Sequence, residues 1–238
     1  MTDQPINLPA LEDITGATVA DVLARLPRMG RVMVIAKTDR GVTHERIGAV
    51  EAVTRDAGDL RLKGACHDGL VKLDAAVRMR IDRRSVMQGK IYPHLNILDS
   101  AGNIVLDVVG MEGTEPMEEA LIGITRAPLA AQSVPAVTRR DAPDIAETDP
   151  ALIMLRQLHD KGAQVTITAK TAALTQVWRG QVDAVKPAMG FINVMTPDFH
   201  LHLKAGSIAA WGGEPGRRIA LDAKGAPCGL TLDAEVFA

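Results

Sequence analysis

The chain contains the same succession of short sequence patterns twice, and this internal similarity limits its fold more than any other feature. In each copy, a helical segment ends at a glycine and a β-rich segment follows. The matched segments are 24–38 with 155–171, 48–53 with 180–185, 60–63 with 201–204, and 98–102 with 221–225. Because the four matches keep the same order, we expect two tandem repeats of one structural unit.

The two copies are separated by a segment that shows neither helical nor strand periodicity. It extends from Thr125 to Pro150 and contains four prolines, a composition typical of a linker. We therefore divide the chain into a first repeat over residues 1–125, a linker over 126–150 and a second repeat over 151–238.

Each repeat is expected to begin with an amphipathic helix, because apolar residues recur at helical spacing over 19–26 and 151–158. Thr18 and Asp149 precede these segments as predicted N-caps. A further short helix is predicted over 118–122.

Strands are expected to follow each helix. Alternating apolar and polar residues over 60–63, 77–81 and 199–203 predict strands with one buried and one open face. Asp and Gly within 98–102 and 221–225 predict hairpin turns. The predicted fold class is α+β, in which each repeat is a helix followed by an antiparallel β meander and the meanders form large antiparallel sheets.

Composition limits the cell compartment and the partners. Hydrophobic residues make up 47% of the chain, enough for a substantial core. The 27 basic and 29 acidic side chains nearly balance, so no basic field attracts nucleic acid or an anionic membrane. The two cysteines, Cys66 and Cys228, have neither zinc-site nor disulfide-scaffold spacing. Without a secretory signal or a spanning apolar run, we expect a cytoplasmic protein with no nucleic-acid partner and no membrane insertion.

The common catalytic motifs are missing from the sequence. There is no Walker loop, dinucleotide fingerprint, nucleophile elbow or His-Glu-x-x-His. Histidine is then the main donor for a metal or for haem iron. The six histidines are His44, His67, His94, His159, His200 and His202.

His200 and His202 are two residues apart on a predicted strand, which places both imidazoles on one face with Lys204. A haem or metal site can be built on such a face. The alternative is a polar strand face that meets solvent.

The other histidines have ordinary structural explanations beside functional ones. Cys66 and His67 lie in a glycine-bounded loop, which is either a ligand pair or a surface turn. The segment 44–46 allows a Glu-His interaction, although three polar residues in a row more often mark a hairpin turn. His94 opens a strand, and His159 closes a helix, where the helix dipole favours it.

A local group of basic residues is a candidate for binding carboxylates such as the haem propionates. Two of its members, Arg78 and Arg80, share one strand face. The alternative is that these side chains are solvated or paired with neighbouring aspartates. The group consists of Arg78, Arg80, Arg83, Arg84 and Lys90.

Several strings resemble the hemin-degrading and haem-utilisation family of HemS/ChuS type, which is itself built from two similar halves. The most recognisable segment is 180–204, continued by 208–211, and the first repeat contributes 30–38, 42–48 and 94–102. The resemblance covers most of both repeats. It implies the family fold and a non-covalent, b-type haem as cofactor.

The sequence also departs from the family pattern. Family members are about half as long again and carry extra helices, and their iron-binding histidine lies on a helix ahead of the second sheet. The corresponding stretch here, 148–151, has no histidine, and Trp178 stands where the family tends to place one. The family's C-terminal Tyr and Arg groups have no clear match past Trp211.

The resemblance implies a haem-binding protein of haem uptake, trafficking or storage, with porphyrin degradation as the less favoured activity because the ligand helix is missing. The candidate iron ligands are His202 or His200, then His67, and Arg78, Arg80 and Lys204 are candidates for the propionates. Components of a haem-uptake transporter are implied partners. The alternative is a scaffold or regulatory module that lost the haem site and pairs into a homodimer through exposed strand edges.

Overall fold

A computed structural model describes residues 8–130 and 144–238. Within these ranges helices are few and short, and most of the chain forms large antiparallel sheets. The α-helices are α1 Val19–Leu23, α2 Glu115–Ala120 and α3 Pro150–Asp160, and the 3-10 helices are η1 Leu26–Arg28 and η2 Glu235–Phe237. The predicted mixed class with large antiparallel sheets is confirmed.

The strands before residue 130 are β1 Leu11–Ile14, β2 Arg31–Lys37, β3 Val42–Ala49, β4 Ala52–Asp56, β5 Asp59–Gly64, β6 His67–Val71, β7 Arg78–Asp82, β8 Val86–Met87, β9 Lys90–Ile91, β10 His94–Leu98, β11 Ile104–Gly110 and β12 Arg126–Pro128. Those after residue 144 are β13 Gln164–Lys170, β14 Leu174–Gln181, β15 Lys186–Ala188, β16 Phe191–Thr196, β17 Phe199–Lys204, β18 Ala210–Gly212, β19 Arg217–Leu221 and β20 Pro227–Asp233.

Each of the two large sheets takes strands from both halves of the chain. A ten-stranded sheet has the order β12-β1-β7-β10-β11-β2-β3-β17-β16-β15, and an eight-stranded sheet has the order β18-β19-β20-β13-β14-β6-β5-β4. The segment β4–β6 therefore leaves the first half's sheet and pairs with β14, while β15–β17 makes the reverse exchange and pairs with β3. Neither sheet is complete without strands from the other half.

The core lies between the inner faces of the two sheets and under the helices. Along β2, Val32, Val34 and Ala36 are fully buried, and the alternate residues are partly or fully exposed. Full burial of a valine side chain such as Val32 or Val34 contributes roughly 1.5–3 kcal/mol. The buried residues form two apolar clusters. One cluster contains the buried side chains of α1, and the other contains those of α3.

The predicted Asp-Gly hairpins are confirmed and are built alike. The amide of Asn103 donates to Asp99, and that of Ala226 donates to Asp222. Gly102 and Gly225 have φ of 87° and 77°, a conformation that favours glycine. The same side-chain turn chemistry therefore connects β10 to β11 and β19 to β20.

The helix starts are as predicted, but the first helix is shorter. Thr18 and Asp21 form a capping box at α1, and Asp149 accepts from the amide of Ala151 at α3. The first helix was expected to reach residue 26, but α1 ends at Leu23. Pro27 has no N–H to donate, so the chain continues as the 3-10 turn η1.

Two expectations need correction. Segment 60–63 lies in the middle strand β5, whereas 201–204 lies in β17, which pairs with β3 across the sheet exchange. These segments are therefore not equivalent in position, and their common Leu-x-Leu-Lys pattern reflects only the alternation of any half-buried strand. The predicted linker also begins with strand β12, at the edge of the large sheet. Its residues 131–143 lie outside the described parts, and the division into two repeats stays a prediction.

Candidate functional site

The candidate site lies on the face of the ten-stranded sheet that points away from the core. The pairing register aligns eight side chains of this open face in one row across the strands. The row is Asp13, Arg80, Asn96, Asp107, Ile35, Glu45, His200 and Met195. It brings chemistry-bearing residues from both halves of the chain to one surface.

Glu45, His200 and His202 form a compact cluster where β3 meets β17. His200 Nδ1 is 3.1 Å from Glu45 Oε2, and His202 Nε2 is 3.6 Å from the same oxygen. The two imidazole rings are 5.9 Å apart, centre to centre. The side chains retain between 13% and 25% of their accessible surface, so they are sheltered but can be reached from solvent.

Asn193 on β16 fixes the orientation and the tautomer of His202. Its Nδ2 donates to the carbonyls of Lys186 and Phe191, at 2.8 and 3.1 Å, so its Oδ1 faces the histidine. His202 Nδ1 lies 2.6 Å from that oxygen and must carry the proton that it donates. In neutral His202 the lone pair is consequently on Nε2.

The carboxylate of Glu45 is held in its charged form. Burial opposes the charge, but the hydrogen bond from His200 Nδ1 and the proximity of both imidazoles outweigh it and lower the pKa of Glu45 to about 2. Glu45 therefore presents an anion to both imidazoles throughout the neutral and mildly acidic range. An imidazole whose Nδ1–H points at a carboxylate keeps Nε2 available for a metal, which describes His200.

Apolar and cationic side chains flank the histidines on the same face. Met195 lies opposite His200 and Phe191 lies opposite Lys204, and both are exposed. Lys204 is two residues from His202 on the same strand face. Lys37 reaches the same face from the far side of β3, two strand spacings or about 10 Å away.

A cleft of about 1090 Å³ adjoins the cluster. Ile35, Thr43 and Glu45 form its sheet side, and the turns at 99–104 and 170–172 form its other walls. A space of this size accommodates a cofactor. Glu45 belongs to both the cleft and the histidine cluster.

The structure does not bring Arg78 and Arg80 to these histidines. Both lie on the open face, but five strand spacings separate β7 from β17, about 24 Å. The Arg80 guanidinium pairs with Asp13, on the side away from His200. One haem cannot take an axial ligand from β17 and propionate contacts from β7.

The rest of the basic group serves structure. Arg83 is buried between Glu12 and Glu118, and Arg84 pairs with Asp82. Lys90 donates to the carbonyl of Met111. Arg83 and Arg84 are therefore held in ion pairs, and Lys90 is held by a backbone carbonyl.

His67 is buried in the other sheet, at the start of β6. Its Nε2 contacts the carbonyl oxygen of Gly48 at 3.1 Å, and burial lowers its pKa. The neighbouring carbonyl of Cys66 accepts from Arg46, at 2.6 Å. His67 and Cys66 thus lie apart from the β17 cluster, and His67 has a structural partner.

Segment 44–46 is not the hairpin turn that three polar residues suggested but the middle of β3. His44 points into the core, where Gln176 Nε2 donates to its Nδ1 at 3.0 Å. Burial lowers the pKa of His44 to about 3, so this histidine stays neutral. Glu45 points to the opposite face, where the Glu-His interaction forms with β17.

The two remaining histidines have local partners. His94 Nδ1 lies 2.9 Å from an oxygen of Asp107. His159 is the only histidine on α3, and its Nδ1 donates to the carbonyl of Val182 at 2.8 Å. Helix α3 therefore offers no imidazole to the open face of the ten-stranded sheet.

Sequence reasoning found the histidine pair but missed residues that complete the cluster. Nothing in the local sequence of Asn193 or Lys37 indicates a site residue. For Glu45 the sequence allows a Glu-His interaction, but three polar residues in a row favour a turn. Strand alternation places each residue on an open face, but only the sheet order β2-β3-β17-β16 brings them to His202.

Comparison with known proteins identifies the fold. Neither the family models nor the curated proteins contain a match. Among solved structures, ChuS, an Escherichia coli haem oxygenase, has a TM-score of 0.73 at 18% identity, covering 94% of this chain and 83% of that chain. PhuS in the apo form, a haem-binding protein from Pseudomonas aeruginosa, has a TM-score of 0.71 at 16% identity, covering 94% and 81%. Its holo form gives 0.72. No helix in the described ranges is long and apolar enough to cross a membrane.

Proposed function

We propose that this chain, which has the HemS/ChuS-type fold, binds haem on the open face of its ten-stranded sheet. The observation that carries the proposal is the pair His200–His202, whose Nδ1 atoms are engaged by Glu45 and Asn193 and whose Nε2 atoms remain available. The donor set fits haem, because neutral imidazole is a common axial ligand.

His200 is the better axial ligand of the two. Its Nδ1 faces Glu45, so its Nε2 points away from that carboxylate, whereas Nε2 of His202 lies 3.6 Å from it. A carboxylate behind a ligating histidine raises its basicity and fixes its orientation. Glu45 is thus a positioning residue for His200.

The surroundings supply the other contacts that a porphyrin needs. Met195 and Phe191 offer exposed apolar surface beside the histidines. Lys204 and Lys37 are exposed cations on the same face and take the propionates. Arg78 and Arg80, about 24 Å across the sheet, are left out of this proposal.

Reversible binding for trafficking or storage of non-covalent, b-type haem is the function we favour. Bound haem supplies the redox chemistry for any porphyrin opening, and the protein orients it. The face is broad and open, so water is not excluded from it, which suits a carrier better than a degrading enzyme. A cytoplasmic location, transporter contacts and a homodimer stay predictions.

We also infer that the chain is an internal duplication divided as 1–125, 126–150 and 151–238. The pairing order β7-β10-β11-β2-β3 in the first part matches β18-β19-β20-β13-β14 in the second. The reciprocal exchange of β4–β6 and β15–β17 supports the same view.

The test is a hemin titration followed in the Soret region, with His200→Ala, His202→Ala and His67→Ala, and with His159→Ala as the control. We expect one saturable haem per chain, with the Soret position changed or lost in His200→Ala and retained in His67→Ala and the control. Weak binding that is indifferent to every substitution would contradict the proposal and favour the scaffold alternative. In that case, size-exclusion chromatography of the colourless protein reports whether it forms a defined oligomer.

A further inference from the structure

The geometry points to a second capacity of this surface: Glu45, His200 and His202 form a three-ligand site for a bare divalent transition-metal ion, independent of haem. Two nitrogen donors and one carboxylate on one side of an ion leave its other positions open. This ligand set suits Fe²⁺, Zn²⁺ and related ions rather than Mg²⁺ or Ca²⁺.

The distances fit a common ion. Ligand atoms about 2.1 Å from a metal, at angles of 90–110°, lie roughly 3.0–3.4 Å from one another. The separations here are 3.1 Å from Glu45 Oε2 to His200 Nδ1 and 3.6 Å from that oxygen to His202 Nε2. The three donor atoms all lie within 4.8 Å of one another. Small side-chain movements therefore bring them to a common centre.

The protein already holds these ligands in suitable states. Asn193 keeps the proton of His202 on Nδ1, which leaves Nε2 as the donor. His200 needs only to move its proton from Nδ1 to Nε2, the other neutral tautomer.

Two neighbouring strands supply the cluster, which makes it stiff. His200 and His202 share β17, and Glu45 pairs directly with His200 across the ladder. The strand backbone fixes the Cα positions, and Asn193 orients one ring from β16. The cleft beside Glu45 gives a small molecule access to the open coordination positions.

The cation and haem make different demands on the same histidines. Haem iron needs one axial imidazole, whichever of the two supplies it. The bare cation needs both imidazoles and Glu45. The two activities can therefore be separated by substitution, and failure of one leaves the other measurable.

The experiment is a titration of chelator-treated protein with Co²⁺, read by its visible absorption, and with Zn²⁺, read by calorimetry. We expect one ion per chain and at least a tenfold loss of affinity in Glu45→Gln, His200→Ala and His202→Ala. At least one of the two histidine variants should keep its haem Soret band. Mg²⁺ should give no saturable heat.

Asp107→Asn is the matched control, because Asp107 forms a carboxylate–histidine pair with His94 on the same face. Among the described residues, no second histidine completes a cluster there. Its ion affinity should equal that of the unmodified protein. The inference is overturned if Co²⁺ and Zn²⁺ do not bind, or if they bind equally well to Glu45→Gln and to the unmodified chain. Should a variant lose its circular dichroism spectrum, the shape and intensity of the Co²⁺ spectrum of the unmodified protein decide between imidazole ligands and adventitious carboxylates.

Discussion

At the scale of single residues, neighbours decide which histidines carry charge. His94 is partly buried, which opposes charge, but its hydrogen bond to Asp107 outweighs burial and raises its pKa above the ordinary 6.5. His44 lies in the core beside the uncharged side chain of Gln176, so burial dominates and lowers its pKa to about 3. The pKa values of these two histidines, which lie in the same sheet, are thus shifted in opposite directions.

The raised pKa of His94 makes its contribution to stability depend on pH. The folded state binds the proton more tightly than the unfolded state, so the stabilisation is complete below pH 6.5 and disappears as pH rises through the folded pKa. We expect the unfolding free energy of the unmodified protein to exceed that of His94→Gln more at pH 5.5 than at pH 8.5. Urea unfolding at the two pH values measures both differences. A constant difference would show that the Asp107 interaction does not favour the charged form.

At the scale of elements, Asp149 ties the start of α3 to the loop after β17. Its Oδ1 accepts from the amide of Ala151, and its Oδ2 accepts from the amide of Gly206, both at 2.8 Å. The residue is buried. One carboxylate therefore caps the helix and fixes the end of the strand that carries His200 and His202.

Asp149→Ala should lower the unfolding free energy by about 2 kcal/mol, because a cap contributes about 1 kcal/mol and the Gly206 amide would lose its partner. Thr18→Ala, at the exposed cap of α1, should cost about half as much. Thermal or urea unfolding of both variants tests the difference. Equal losses of unfolding free energy in the two variants would mean that water replaces Asp149 as the acceptor for the Gly206 amide.

At the scale of the whole molecule, the strand exchange makes the two halves dependent on each other. β17 pairs with β3, and β6 pairs with β14. Separating the two halves would expose the edges of β3 and β14, which lose their partner strands. It would also expose the apolar inner faces of β4–β6 and β15–β17. A half of this chain cannot bury its core alone.

We expect the fragments 1–130 and 144–238 to be unfolded or aggregated when produced singly and to recover the native spectrum when combined. Circular dichroism and size-exclusion chromatography of each fragment and of the mixture make the measurement. The mixed fragments should elute as a one-to-one complex. A stable, monomeric single fragment would contradict the interdependence of the two sheets.

Local sequence determined the features that depend on neighbours along the chain. The caps at Thr18 and Asp149, the two Asp-Gly hairpins and the alternation that puts His200 and His202 on one face follow from side-chain chemistry within a few residues. The sheet class follows too, because alternation over many short segments has few other solutions.

Only the tertiary structure decided which strands are neighbours, and with that the composition of the site. Glu45 and His200 are 155 positions apart in the chain, and no local signal pairs β3 with β17. The strand order of the ten-stranded sheet also separates Arg78 and Arg80 from the histidines, although all four side chains lie on the open face. The physical reason is that alternation selects the face of a strand, whereas backbone hydrogen bonding between distant segments selects its neighbours.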